Sequence, residues 1–206
     1  MIEITEIRQT SPERFILTMS DGTQIKATLS VITDLYIHSG MELDGEEYER
    51  LVNECAYSLC KARALRQIGM RAMSAKEMRD KLVSKGETPE NAQRAADWLC
   101  EMGLINDEAF AGTVVRHYAA KGYGRSRIRN ELYRHGVPRD LWEEALEEMP
   151  EQDDKIDKYL RSRLTDPSDR AQVKRVSDGL FRRGYSWGEI KVALERFKAE
   201  LEETEC

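Results

Sequence analysis

Ser74-Ala75-Lys76-Glu77-Met78-Arg79-Asp80-Lys81-Leu82-Val83-Ser84-Lys85-Gly86 is the stretch that decides the fold. A serine followed three residues later by a glutamate marks a helix N-terminus, because each side chain satisfies a backbone N–H that has no partner in the first turn. Met78 and Leu82 then fall on one face and point inward, and Gly86 supplies the left-handed residue that closes a helix. The next helix follows at once. Thr88-Pro89 gives a cap and a first-turn proline, Ala92, Ala95, Ala96 and Leu99 form an apolar stripe, and Gly103 ends it. On the N-terminal side, Leu51, Cys55, Leu59, Ala62 and Leu65 recur at spacings of three and four, which predicts a long helix with those residues on its buried face.

The same three-part phrase recurs twice. Asn106, an N-cap followed by Asp107 and Glu108, introduces Phe110, Val114 and Tyr118; Ile128 and Leu132 precede Gly136; Leu141, Ala145 and Leu146 follow Pro138. A third version runs through Ile156, Tyr159, Leu160 and Leu164 to Val176 and Leu180 before Gly184. It ends in Ile190, Ala193 and Leu194 after the capping box Ser186-Trp187-Gly188-Glu189. The alignment is checked by fixed spacings. Gly86, Gly136 and Gly184 each follow a leucine (Leu82, Leu132, Leu180) by four residues and precede an alanine (Ala95, Ala145, Ala193) by nine. The period is near 50, and a basic or histidine side chain (Lys85, His135, Arg183) precedes each glycine, where it is expected to meet helix C-terminal carbonyls. A three-helix unit of this size buries only about 60% of its chain surface, so neighbouring units are expected to stack.

The first 44 residues read differently. Phe15, Leu17 and Met19 alternate, Ser20-Asp21-Gly22-Thr23 supplies an Asp-Gly hairpin turn, and Ile25, Ala27 and Leu29 alternate again. Val31, Ile32 and Leu35 suit a short helix that Gly40 is expected to terminate. Such a β unit needs a further element to pack against. The fold class is therefore mainly α: tandem three-helix repeats in an elongated, curved array, with a small β-rich N-terminal extension. The divisions are residues 1–44 for the extension and 45–103, 104–150 and 151–206 for the three repeats.

Composition supports a folded chain. Hydrophobic residues make up 40% and charged residues 34%, with only 5 prolines, the balance of a helix-rich globular protein. No run of about 18 apolar residues occurs, and the N-terminus lacks the basic start and apolar stretch of a secretion signal, so a cytoplasmic protein without membrane contact is expected. Cys55, Cys60, Cys100 and Cys206 form no CxxC pair and read as reduced thiols, with Cys55 and Cys100 in the core. There is no phosphate-binding glycine loop and no Gly-x-Ser-x-Gly elbow, and His38, His117 and His135 lie apart. The acidic pairs Glu143-Glu144 and Glu147-Glu148 read as solvated charge on an exposed helix face. No catalytic residue, metal or cofactor is therefore expected, and the chain reads as a binding protein, not an enzyme.

The net charge of −6 argues against nucleic acid as a partner, but its distribution is uneven. Arg116 to Arg139 holds seven Lys/Arg against the single acid Glu131. Within it, Lys121-Gly122-Tyr123-Gly124-Arg125-Ser126-Arg127 has two glycines that free the backbone and three bases around one tyrosine. That loop either grips phosphates or an acidic protein face, or is an ordinary helix-to-helix turn with solvated bases; the sequence leaves both open. Arg129 and Arg134 continue the charge along the next helix while Ile128 and Leu132 face the core, so the bases are expected to project outward together.

At this point the chain resembles the RecX family of bacterial recombinase regulators. The resemblance rests on Leu104-Ile105-Asn106-Asp107-Glu108-Ala109-Phe110-Ala111 and on Gly122-Tyr123-Gly124-Arg125-Ser126-Arg127-Ile128 leading into Glu131-Leu132 and Gly136-Val137. The Ser74 to Gly86 phrase matches too, and the likeness extends more loosely over the third repeat, covering about residues 48–200. The β-rich start is similar to an extension that some members carry. The resemblance implies a modulator, not an enzyme, that binds the RecA protein filament on single-stranded DNA, lodges in its helical groove, and restrains ATP hydrolysis, strand exchange and coprotease activity in DNA repair, recombination and the SOS response. The partner-binding residues expected are Arg116, Lys121, Tyr123, Arg125, Arg127, Arg129 and Arg134. A monomer that meets DNA through the filament is expected; the competing reading is a direct DNA-binding helical-repeat protein, whose affinity for bare DNA falls steeply with salt.

Overall fold

The computed structural model describes residues 1–204, so Cys206 lies outside the described residues. The chain forms two compact units, residues 1–105 and 106–206.

The first unit opens with a four-stranded antiparallel sheet in the order β3-β2-β1-β4. Its strands are β1 (Ile2–Ser11), β2 (Arg14–Met19), β3 (Gln24–Thr28) and the short β4 (Glu42–Leu43). The expected Asp-Gly turn joins β2 to β3: the Met19 N–H donates to the Thr23 carbonyl (2.9 Å) and the Thr23 N–H to Asp21 Oδ1 (2.8 Å). Alternation places Ile4, Leu17, Met19 and Ala27 inward, with Ile4 directly opposite Met19. The helix α1 (Leu29–Asp34) is shorter than expected. It stops at Leu35 because Tyr36 adopts φ +52°, and Gly40 lies in the following turn instead of ending the helix.

Helix α2 (Gly45–Met70) starts on a capping box, in which Asp44 Oδ1 accepts from the Glu47 N–H (2.8 Å) and Glu47 Oε2 accepts from the Asp44 N–H (2.9 Å). It serves two cores. Leu51 and Cys55 pack into the sheet's apolar cluster, whereas Cys60 and Ala64 pack with α3 (Ala75–Ser84) and α4 (Pro89–Glu101) through Met78, Leu82, Ala92, Ala95, Ala96 and Leu99. This corrects the straight stripe expected from spacing. Leu65 is 42% exposed, because the covering partner changes from the sheet to the helix pair along α2 and the buried face turns with it. The same shift decides the cysteines: Cys55 and Cys60 are buried, and Cys100, one residue beyond the buried stripe of α4, is exposed.

The second unit holds two three-helix groups. The first comprises α5 (Asp107–Ala120), α6 (Arg125–Arg134) and, after a 3-10 turn at Arg139–Leu141, α7 (Trp142–Glu147). The second comprises α8 (Asp153–Arg161), α9 (Arg170–Arg182) and α10 (Trp187–Thr204). Each has its own apolar cluster, centred on Val115, Ile128 and Leu132 in one and on Ile156, Leu160 and Leu180 in the other.

The repeat spacing corresponds to repeated structure. Leu82, Leu132 and Leu180 are all fully buried, Ala95, Ala145 and Ala193 are buried opposite them, and Gly86, Gly136 and Gly184 all have left-handed φ (+90°, +69° and +94°). The caps behave as read: Ser74, Thr88 and Asn106 each accept from the backbone N–H three residues on, and Ser186 and Glu189 form a reciprocal box. The side chains before the repeat glycines do not all turn back on their helices as expected. The His135 ring meets Phe110 edge-on, and the Arg183 guanidinium lies over the rings of Tyr123 and Tyr159.

Candidate functional site

The turn between α5 and α6 is held by more than its own helices. The Gly124 N–H donates to the Arg183 carbonyl (2.9 Å) and the Ser126 N–H to the Gly184 carbonyl (3.2 Å), so the turn before α6 is hydrogen-bonded to the turn before α10. A Cβ on Gly124 would stand 2.4 Å from the Gly184 carbonyl oxygen, and a Cβ on Gly184 would stand 2.3 Å from the Arg127 nitrogen. Gly124 has φ −81°, open to any residue, so glycine is required there for close backbone approach. Both glycines join one three-helix group to the next.

Ile128 and Leu132 face the core of α6, as expected, but the bases around them are not a single free patch. Glu131 is buried, with its side chain 5% exposed, and it holds Arg127 (2.9 Å) and Arg134 (3.5 Å). Arg129 is paired with both carboxylate oxygens of Glu143 (2.8 and 2.9 Å), and Arg116 approaches Glu148 (3.7 Å). Glu143, Glu144, Glu147 and Glu148 are all exposed, as expected, and Glu143 and Glu148 also meet bases at the surface. Four of the six expected bases thus have an acidic partner, two at the buried Glu131 and two at the exposed Glu143 and Glu148. Lys121 and Arg125 are exposed and, among the described residues, have no ion-pair partner. Tyr123 is half-buried. Its ring sits 5.9 Å from that of Tyr118 and has the guanidinium groups of Arg127 and Arg183 each 5.8 Å from its centre.

Arg183 leads to a group of bases that the sequence reading passed over. An open cleft of about 310 Å³ is lined by Lys121 and Gly122 from the α5–α6 turn, Lys155, Lys158, Tyr159 and Ser162 from α8 and its end, Arg163, and Arg183 with Tyr185 before α10. Five bases line it and, among the described residues, no acid does. Tyr159 has Arg163 4.7 Å and Arg183 4.9 Å from its ring centre, within cation–π range. None of the five bases has an ion-pair partner among the described residues. Two of the acids interleaved with them in the sequence, Asp153 and Asp157, are held elsewhere, and Asp154 is exposed outside the lining. Arg196 of α10 binds Asp153 (2.8 Å) and Asp157 (2.7 Å) on the opposite side of α8, and Lys155, Lys158, Tyr159 and Ser162 share the other side at helical spacing. The signal was therefore present as a three-and-four spacing of Lys155, Lys158 and Ser162, masked by the acids Asp153, Asp154 and Asp157 that stand among them in the sequence.

Burial shapes the remaining titrations. The Cys55 thiol is pushed up to about 12 by burial, with Glu54 adding to it, and the Cys60 thiol to about 11 by burial, with Glu87 adding and Arg63 opposing. Neither is a nucleophile at neutral pH. Burial also pushes the Tyr185 hydroxyl up to about 12, and its oxygen is enclosed without a hydrogen-bond partner. Among the described residues, no group of three or more His, Cys, Asp or Glu side chains is arranged to hold a metal ion, and no helix is long and apolar enough to cross a membrane.

The models of the RecX first and second three-helix domains match residues 60–99 and 106–146, that is, the end of α2 with α3 and α4, and α5 to α7. A protein of Xanthomonas axonopodis pv. citri named "Regulatory protein RecX" is 36% identical over 141 residues, covering 67% of this chain and 86% of that relative. One of the same name from Clostridium perfringens is 31% identical over 136 residues, covering 66% of this chain and 62% of the relative. A crystal structure described as that of regulatory protein RecX superimposes with a TM-score of 0.75 over 95% of this chain and all of the other, at 20% identity, which speaks for the fold. With the tandem three-helix domains, the sheet at the N-terminus and relatives of this identity over most of their length, the chain belongs to the RecX family.

Proposed function

We propose that this chain is a regulator of the RecA recombinase, binding its filament on single-stranded DNA and limiting ATP hydrolysis, strand exchange and coprotease activity. The observation that carries the reading is family membership over the middle three-helix domain, residues 106–146, which holds the Lys121 to Arg127 turn. The face offered to the filament is that of the α5–α6 turn and α6. Lys121 and Arg125 supply its free positive charge, and Tyr123, Arg127, Arg129, Arg134 and Arg116 flank them with charge shared among Glu131, Glu143 and Glu148. Unpaired exposed bases act on encounter and long-range attraction, whereas bases already paired give up an existing partner before they can contribute. The protein acts by binding and performs no chemistry of its own.

The test is the rate of ATP hydrolysis by RecA filaments on single-stranded DNA, titrated with this protein beside a control for binding to bare DNA. Inhibition at concentrations that leave bare DNA unbound is expected. No effect, or an effect that tracks sequestration of DNA, overturns the reading in favour of a direct DNA-binding protein.

A further inference from the structure

We infer that the cleft among the α5–α6 turn, α8 and the α9–α10 turn is a binding site for the phosphodiester backbone of a single strand of nucleic acid. Lys121, Lys155, Lys158, Arg163 and Arg183 converge on it, no acidic side chain lines it, and none of the five is neutralised by an ion pair among the described residues. Converging like charges repel one another, so an arrangement that leaves all five unpaired is at its most stable when an anion enters. The fold also spends interactions on keeping acids out of it. Arg196 holds Asp153 and Asp157 on the far side of α8, and Arg161 of the same helix is turned to Glu200.

The class of anion follows from the cleft's shape and its rings. It is an open cleft, not an enclosed chamber, and neither a glycine-rich phosphate loop nor an apolar slot for a single base is present, which disfavours a free mononucleotide. Tyr159, which lines the cleft, has Arg163 and Arg183 over its ring, and Arg183 also reaches the ring of Tyr123 beside the lining, the combination of aromatic surface and cations with which proteins hold single strands without reading their sequence. An acidic protein face would require none of the rings. The two repeats are fixed across the cleft by the backbone bonds of Gly124 and Ser126, so the cations from α8 and from the α5–α6 turn are held in place before any strand arrives. The proposal deepens the filament reading, in which the strand is the one inside the filament, but it is tested on the isolated chain.

The full chain is titrated against a short fluorescein-labelled oligothymidylate at low salt, followed by anisotropy. Two charge-matched variants are compared: Lys155→Glu/Lys158→Glu in the cleft and Lys191→Glu/Lys198→Glu on α10, all four lysines being exposed. Circular dichroism and melting confirm that both remain folded. The cleft variant is expected to lose affinity by at least roughly tenfold and its log–log salt slope to shrink by about 1.4, at about 0.7 per lost single-strand phosphate contact. The α10 variant is expected to change by less than about twofold, because neither Lys191 nor Lys198 lines the cleft and exposed charges are screened. Equal losses in the two variants, no binding by the parent chain at low salt, or displacement of the oligonucleotide by ATP or by polyglutamate at comparable concentration would overturn the proposal. RecA ATPase inhibition measured on the same variants keeps the readings apart. Lost strand binding with retained inhibition supports the cleft and leaves the filament reading standing on its own. Retained strand binding with lost inhibition overturns the cleft as a strand site and assigns it to the recombinase.

Discussion

Glu131 shows how one side chain changes the meaning of its neighbours. It is the lone acid in a run of bases, and the sequence suggests that it subtracts one charge from an otherwise free patch. In the fold it is buried, with Arg127 and Arg134 drawn against it, and Tyr118 close enough that its hydroxyl is pushed up, by burial first and by Glu131 second. Replacing it by alanine leaves Arg127, whose Nε is already enclosed without a partner, without its main counter-charge. Glu131→Ala is expected to destabilise the second unit by about 2 kcal/mol, measured by urea unfolding, with Glu131→Gln recovering part of that through its remaining hydrogen bonds. A loss below about 0.5 kcal/mol would mean that the pair behaves like an exposed surface bridge. The cysteines make the same point about residue-scale legibility. Chain spacing pointed to Cys55 and Cys100 as core residues, and which of the three described thiols is covered depends on how α2 meets α4. On a Cys206→Ser background, a thiol reagent at neutral pH is expected to modify Cys100 in the native protein and Cys55 and Cys60 only on unfolding.

At the scale of elements, the features encoded locally were the ones legible in the chain. A capping box, a first-turn proline or a left-handed glycine is fixed by a few adjacent residues, so Ser74, Thr88-Pro89 and Gly86 announce their roles without tertiary information. The turn at Gly122 to Arg127 is different. Its two glycines look alike in sequence, yet Gly122 is a left-handed helix end with φ +74°, whereas Gly124 is glycine because another turn's backbone lies against it. That partner, Gly184, is sixty residues further along the chain and carries no mark of the contact. Gly124→Ala is expected to cost about 3 kcal/mol or more, since the atom it meets is backbone and has no rotamer to yield. Gly45→Ala, at the first position of α2 with open space around it, serves as the comparison and should be neutral or slightly stabilising. The basic cleft was missed for a related reason: its cations come from three elements, and two of the acids that mask them in sequence, Asp153 and Asp157, are held on the other side of α8 by Arg196, a residue of α10.

For the whole molecule, the buried thiols and Tyr185 set a limit on the alkaline side. Each has a folded-state pKa above its ordinary value: Cys55 about 12 and Cys60 about 11 against 9.0, and Tyr185 about 12 against 10.0. A raised value means that the folded chain keeps a proton that the unfolded chain gives up, so stability is fully present below the ordinary value and falls as pH rises toward the folded one. The first unit, which holds both thiols, is therefore expected to weaken from about pH 9, and the second, which holds Tyr185, from about pH 10. By pH 12 the loss should be of order 2 to 4 kcal/mol for each group. Guanidinium unfolding at pH 8, 10 and 11, followed by separate probes in the two units, measures this directly. Tyr185→Phe removes its titration from the second unit, where the Tyr118 hydroxyl is pushed up as well, without removing the ring from the core, and should flatten the decline in that unit alone. If the variant and the parent fall in parallel, the alkaline transition belongs to other groups, and the enclosed hydroxyl of Tyr185 has no part in it.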